Sequence, residues 1–185
     1  MTVINLLGVP GSGKSTAAAY IFYRLKEAGI NCELVTEVAK DMVWDDNMIA
    51  LKNQLYIAGN QSYRLSRLDS KVDVVVTDAP LMLQAVYYRY NNCPEPSMFE
   101  VILNRISEQY KNINLLLPIP PKIEKIGRIH GESESENIFD SIVHMLDKYD
   151  IKYEMVRRDS KSLDEYFCDD FIRSFKEIRY ENTSY

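Results

Sequence analysis

Short apolar runs alternate with longer stretches of helical spacing from one end of this chain to the other. Val3-Ile4-Asn5-Leu6-Leu7 reads as a buried strand. Lys14 to Ala28 carries Ala17, Ala18, Tyr20, Ile21, Leu25 and Ala28 at helical spacing, and Gly29 then stands where a glycine ends a helix. Cys32 to Thr36 is a short second strand that runs out through Glu37 towards Asp41. Asp45 to Leu68 reads as one helix, with Leu51, Leu55, Ile57, Ala58, Leu65 and Leu68 on its apolar side and Asn53, Gln54, Asn60, Gln61 and Arg64 on much of the rest. Val72 to Asp78 is the clearest strand, almost continuously apolar and β-branched, as a central parallel strand covered on both faces requires.

The second half repeats the alternation. Leu81 to Tyr90 predicts a helix, broken by Asn91-Asn92-Cys93-Pro94-Glu95-Pro96. The next helix opens at Ser97 with Glu100 three residues on, a capping box, and takes Met98, Val101, Ile102 and Ile106 as its core side. Ile113 to Leu117 is a fourth strand stopped by Pro118 and Pro120-Pro121. Lys122 to Glu136 has no period: Lys122, Lys125, Gly127, Arg128, His130 and Gly131 precede an acidic stretch. A helix follows with Ile138, Ile142, Met145 and Leu146 on one side, then a fifth strand, Lys152 to Val156. Ser162 and Glu165 read as a second capping box for a helix that buries Leu163, Tyr166, Phe167, Phe171 and Phe175. Strands alternating with helices predict an α/β protein: a doubly wound five-stranded parallel sheet with helices on both faces. No internal repeat or second-domain boundary interrupts the 185 residues, so residues 1–185 are expected to form one domain.

Composition narrows the class. The formal net charge of −5, with no long basic run, argues against a general nucleic-acid binder, whose affinity rests on neutralising phosphates. Cys32, Cys93 and Cys168 are widely spaced and odd in number, and two histidines make no metal pattern, so neither a disulfide framework nor a zinc site is implied. No basic leader precedes the first strand, and no apolar run approaches the ~20 residues that span a bilayer. The expectation is a cytoplasmic protein that does not engage membranes.

The chemistry concentrates where the first strand meets the first helix. Gly8-Val9-Pro10-Gly11-Ser12-Gly13-Lys14-Ser15, followed by Thr16, fits Gly-x-x-x-x-Gly-Lys-[Ser/Thr] at every fixed position, with a strand before it and a helix after it. Such a turn points successive backbone N–H groups at a phosphate chain, and the helix N-terminus adds partial positive charge. Lys14 reaches the β- and γ-phosphates, and the Ser15 hydroxyl ligates Mg²⁺. Asp78, at the end of the third strand, has the location of a second Mg²⁺-holding group. Glu37, just past the second strand, falls at the same sheet edge, where ligands of open α/β sheets sit. Gln54, Gln61 and Arg64 share one helix face suited either to a nucleobase edge or phosphate, or simply to solvent.

With these residues in view, the chain resembles the small P-loop kinases, in the branch of nucleoside and nucleotide kinases and the ribosylnicotinamide-kinase-like ATP-binding proteins often found in phage genomes. Gly8 to Ser15, Thr36-Glu37, Asp78-Ala79-Pro80 and the Arg128 segment carry the resemblance. It implies ATP and Mg²⁺ as cofactors and transfer of the γ-phosphate to a small nucleoside or nucleotide. Glu37 would activate the acceptor hydroxyl, with Asp78 as the other candidate base. Gln54 and Gln61 would read the base, beside Trp44 and Arg64. Arg128, on a lid at about 122–137, would stabilise the transferring group. Where thymidylate and deoxynucleoside kinases usually place an arginine beside the acid of the third strand, Ala79 and Pro80 stand here. Two other readings remain open from the residues: a kinase acting on a polynucleotide end or modified base, with Trp44, Tyr87, Tyr88 and Tyr90 for stacking, and an NTP-hydrolysing switch. The acceptor, the choice of ATP over GTP and the oligomeric state are not encoded in any motif.

Overall fold

The computed structural model describes residues 1–120 and 132–182, with side chains described except at 132–133 and 176–182. Arg128 and most of the expected lid therefore lie outside the described residues. Five strands form one parallel sheet: β1 (Thr2–Leu7), β2 (Cys32–Val35), β3 (Val74–Thr77), β4 (Lys111–Leu116) and β5 (Glu154–Met155), in the order β2-β3-β1-β4-β5. This is the α/β sheet expected from the pattern.

The chain passes from β1 through α1 (Lys14–Glu27) to β2 at the edge, and β3 then inserts between them. Register fixes the consequence: Asn5 lies opposite Thr77, and Thr77 opposite Val35. The carboxyl ends of β2, β3 and β1 are thus neighbours, so the residues just beyond them share one edge of the sheet.

Alternation along β1 sends its side chains to two different cores. Ile4 and Leu6 face α1, α8 (Ser160–Tyr166) and α9 (Asp169–Asn182), meeting Ile21, Leu25, Leu163, Phe167 and Phe175. Val3 and Leu7 face the other side, covered by α4 (Gln54–Ser66), α5 (Leu81–Tyr90), α6 (Pro96–Ser107) and α7 (Glu132–Lys148). Asn5, on the same side, is buried. Its amide donates to Asn112 Oδ1 at 2.9 Å and Asn114 Oδ1 at 3.0 Å across the β1–β4 pair, satisfying a polar group that would otherwise weaken the central strand.

The structure departs from the expected elements in three regions. The helix expected over Asp45 to Leu68 is interrupted. α2 (Val38–Trp44), α3 (Met48–Lys52) and α4 succeed one another, because Asp46 takes positive φ and the side chains of Asn47 and Asn53 cap fresh helices by accepting from Ala50 and Tyr56 N–H groups. Leu55, assigned to the apolar side, is exposed. The capping box at Ser97 does not form: Glu95 precedes the helix without a side-chain cap, and Glu100 is buried, bound to Arg89, Lys148 and Tyr149. With Glu100 turned inward, Phe99 and Leu103 form the core side of α6, and Met98, Val101 and Ile102 face outward. The second capping box is likewise replaced, since Asp159 caps α8 through the Ser162 N–H, and α8 stops at Tyr166 before α9 begins.

Candidate nucleotide-binding site

The loop between β1 and α1 has a backbone that depends on its glycines. Gly8, Gly11 and Gly13 all take positive φ, at 147°, 93° and 96°. Gly8 also needs the missing side chain, because a Cβ there would stand 2.7 Å from Ser12 Oγ and 3.2 Å from the Leu117 carbonyl oxygen. Gly13 is the residue immediately before α1, and the Ser12 N–H closes the turn on the Val9 carbonyl at 3.1 Å. Lys14 is buried and its ammonium donates to the carbonyls of Gly8 (2.9 Å) and Val9 (3.0 Å), so the cation lies folded over the loop. Pro10 and Thr16 complete the loop and the first turn of the helix.

Beside this loop, the Ser15 hydroxyl donates to Asp78 Oδ2 at 2.5 Å, joining the start of α1 to the end of β3. Asp78 is 3% exposed, and its other oxygen, Oδ1, has no hydrogen-bond partner among the described residues; Ser12 Oγ is in the same position. Buried polar atoms without partners are rare and ask for a ligand or ion. A hard divalent cation prefers oxygen donors of this kind, hydroxyl and carboxylate together. The pair fits Mg²⁺ in its chemistry.

Glu37 stands just beyond the end of β2. It precedes α2 with extended backbone, and its carboxyl is half-buried. Burial pushes its pKa above the usual carboxylate range; the Lys14 charge pulls it down, Asp78 pushes it up, and Lys40 and Asp41 add smaller opposed effects. The charges of Lys14 and Asp78 thus both act on the Glu37 carboxyl. Tyr87 of α5 belongs to the same neighbourhood, because burial first and the Glu37 carboxylate second push its phenol pKa up.

Gln61 and Arg64 reach this segment from α4, but on its backbone. The Val38 N–H donates to Gln61 Oε1 at 3.0 Å, and Gln61 Nε2 donates to the Thr36 carbonyl at 3.3 Å. Arg64 donates to the same carbonyl at 3.2 Å and forms a salt bridge with Asp41 in α2. Gln54 uses its amide on the Leu51 carbonyl at 3.0 Å, and Trp44, at the end of α2, is 73% exposed. The residues proposed from sequence as base readers thus divide. Gln61 and Arg64 grip the turn that carries Glu37, while Gln54 and Trp44 lie along the interrupted helices beyond it. Sequence reasoning did not find that grip, because the partner atoms are backbone groups more than twenty residues away.

A parallel sheet with a glycine-rich loop after its central strand, and carboxylates on the two neighbouring strand ends, defines the P-loop nucleotide-binding class of α/β proteins. Residues 3–163 match one sequence family along their whole length, and the chain belongs to that family, the AAA domain family AAA_28. No protein of curated function matches it by sequence. Solved structures share the fold. Deoxyadenosine kinase from M. mycoides with bound dATP is 21% identical, with a TM-score of 0.62 over 91% of this chain and 98% of that one. Thymidylate kinase from Ehrlichia chaffeensis is 15% identical, with a TM-score of 0.65 over 90% and 96%. NadR in complex with NR gives a TM-score of 0.68 at 16% identity, and this chain, 89% covered, spans 50% of it. The fold is thus that of the P-loop nucleoside and nucleotide kinases. Among the described residues, no helix is long and apolar enough to cross a membrane.

Proposed function

We propose that this protein is a phosphotransferase that moves the γ-phosphate of ATP to a hydroxyl or phosphate of a small nucleoside or nucleotide. The observation that carries the proposal is the convergence of three strand ends on one edge. The phosphate loop of β1, Asp78 after β3 and Glu37 after β2 are adjacent, and the charges of Lys14 and Asp78 both act on the Glu37 carboxyl. A loop built only to hold a triphosphate has no need of an acid at the outer strand. The fold neighbours support the reading, being a deoxyadenosine kinase and a thymidylate kinase.

In this scheme the loop N–H groups of Gly11 to Ser15 hold the phosphates, and Lys14 leaves the carbonyls of Gly8 and Val9 for the β- and γ-phosphate oxygens. Ser15 and Asp78 would hold Mg²⁺, whose charge offsets that of the phosphates when it is bound. Glu37 accepts the proton of the attacking hydroxyl. Its pKa is raised, chiefly by burial, and a raised pKa makes the carboxylate a stronger base. Gln61 and Arg64 fix the turn on which that carboxylate is presented. Arg128, outside the described residues, is proposed to meet the transferring group from the 122–137 segment.

The test is a panel of nucleosides, nucleotides and short oligonucleotides offered as acceptors with γ-labelled ATP. Label should pass to a nucleoside or nucleotide and should need Lys14, with Lys14→Ala losing a hundredfold or more in rate, on the order expected for removing a phosphate-clamping cation. Glu37→Gln should keep ATP binding and lose turnover. Phosphate release with no acceptor requirement, or full activity in Lys14→Ala, would sink the proposal.

A further inference from the structure

We infer that Arg158, in the loop between β5 and α8, is a donor-site residue that contacts the phosphate chain of the bound nucleoside triphosphate; this deepens the phosphotransferase reading and rests on it. The side chain packs against the last glycine of the phosphate loop. A Cβ placed on Gly13 would meet Arg158 Cδ at 2.5 Å, Nη1 at 3.2 Å and Cβ at 3.5 Å. Gly13 is the last residue before α1, whose first N–H groups and Lys14 side chain make up the anion-binding end of the loop. An arginine stem laid along that glycine carries its guanidinium to the rim of the phosphate position.

Three observations make this more than a chance surface contact. The first is charge. Lys14 and the positive end of α1 already lie at this spot, and a guanidinium beside them adds to the positive charge that would meet an anionic phosphate chain. Arg158 makes no ion pair with a carboxylate among the described residues, whereas its neighbour Arg157 pairs with Asp159 at 3.3 Å. The second is the fixed path of the loop. The Val156 N–H donates to the Leu116 carbonyl at 3.1 Å, the Arg157 N–H to Ser162 Oγ at 3.2 Å, and Asp159 caps α8 through the Ser162 N–H at 3.0 Å. The backbone on both sides of Arg158 is pinned, so the side chain is delivered to Gly13 by structure. The third is the loop interior: Ser12, one residue before Gly13, is 2% exposed, and its Oγ has no partner among the described residues, a buried polar atom prepared for a ligand.

The chemistry that fits is an oxyanion. A guanidinium is always charged and offers several N–H donors in a planar fork that matches phosphate oxygens. Arg158 is exposed, so it is solvated before binding and gives up only part of that solvation for a charge-assisted contact. It would act on the donor and leave the acceptor untouched. No bond is made or broken by it; its role is to hold the donor.

The test is direct binding of Mg·ATP and of magnesium tripolyphosphate, which lacks base and ribose, to the wild type, Arg158→Ala, Arg158→Lys and Arg157→Ala, with steady-state kinetics alongside. Arg158→Ala should weaken both ligands about tenfold and raise the donor KM with the acceptor KM unchanged, Arg158→Lys should recover part of the loss, and Arg157→Ala should bind as wild type. Melting temperatures of the free variants should be alike, since the side chain is exposed. Wild-type protein that binds neither ligand overturns the phosphotransferase reading together with this inference. Wild-type binding matched by Arg158→Ala overturns this inference alone. Loss of ATP affinity without loss of tripolyphosphate affinity assigns the contact to base or ribose and overturns the phosphate assignment. A lowered melting temperature that Arg158→Lys does not restore makes the residue structural, and also overturns it.

Discussion

Gln61 closes its side-chain amide around the peptide groups on either side of Glu37, accepting from the Val38 N–H and donating to the Thr36 carbonyl. A carboxylate at the end of an edge strand would otherwise sit on a turn free to wander. Gln61 is 2% exposed and spends both ends of its amide on backbone, and Arg64 adds a second donor to the same carbonyl. The turn is held from α4, not from its own strand.

Gln61→Ala should therefore act at a distance. It removes two hydrogen bonds from a buried segment and leaves the Val38 N–H and Thr36 carbonyl without that partner, a loss of about 1–3 kcal/mol in stability. Turnover should fall further than ATP affinity does, because the donor loop is untouched. Chemical denaturation and steady-state kinetics on one preparation measure both. Equal falls in kcat and ATP affinity would show that the turn is not what Gln61 supports.

Glu37→Gln should lose turnover yet gain stability at neutral pH. The folded-state pKa of Glu37 is raised, chiefly by burial, so its ionised form is disfavoured in the fold. The wild type is then relatively most stable below the unfolded carboxylate value and loses stability as pH rises from there through the raised folded pKa. The melting-temperature gain of the variant should be present near pH 7 and vanish below about pH 4. In the wild type, kcat/KM should fall on the acid side with a pKa above the usual carboxylate range. A gain independent of pH would place the effect elsewhere.

Gly8→Ala should impair the phosphate loop. The φ of 147° and the 2.7 Å approach to Ser12 Oγ leave no room for a methyl group without displacing Ser12. The expected result is a loss of ATP affinity of at least tenfold with a smaller fall in melting temperature, measured by calorimetry and thermal denaturation.

Glu100→Gln should destabilise the α5–α6–α7 face without touching the donor loop. Burial pulls the Glu100 pKa up, but hydrogen bonds from Lys148 and Arg89, with their charges, more than offset it and hold it below the usual value. Its contribution is present above the unfolded carboxylate pKa and is lost as pH falls through the lowered folded one. Both cations are partly exposed and can return to water, so the loss should be about 1–3 kcal/mol at pH 7. The difference from wild type should shrink in acid, as urea titrations across pH will register.

Cys32 should be inert to thiol reagents in the native state, because burial pushes its thiol pKa up to about 11, with Lys26 lowering it and Glu33 raising it by less. Cys168 is exposed and should react first. Counting thiols with and without denaturant distinguishes the two.

Local chemistry made the glycine-rich loop legible in the sequence. The spacing of Gly8, Gly13, Lys14 and Ser15 is a property of one continuous loop, and positive φ at three glycines needs no tertiary partner to be anticipated. The β-branched run ending at Asp78 likewise announced a buried strand and its terminal acid. Periodicity failed where a segment is apolar on more than one side. In α6, residues 98 to 106 offer two apolar faces, and the choice between them was made by Glu100, drawn inward by Arg89 on α5 and Lys148 on α7. In the expected helix over Asp45 to Leu68, the apolar spacing ran across two breaks that asparagine caps impose.

By itself, then, the sequence determined the phosphate loop, the alternation of strands and helices, and the acids that end β2 and β3. Each of these follows from residues close together in the chain. Only the tertiary structure decided that β3 inserts between β1 and β2, which brings Lys14, Asp78 and Glu37 to one edge. It alone turned Gln61 and Arg64 onto the backbone around Glu37 and laid Arg158 across Gly13. Those placements rest on packing and hydrogen bonds between segments distant in the chain, whose partners are often peptide groups, and a peptide group looks the same at every position of a sequence.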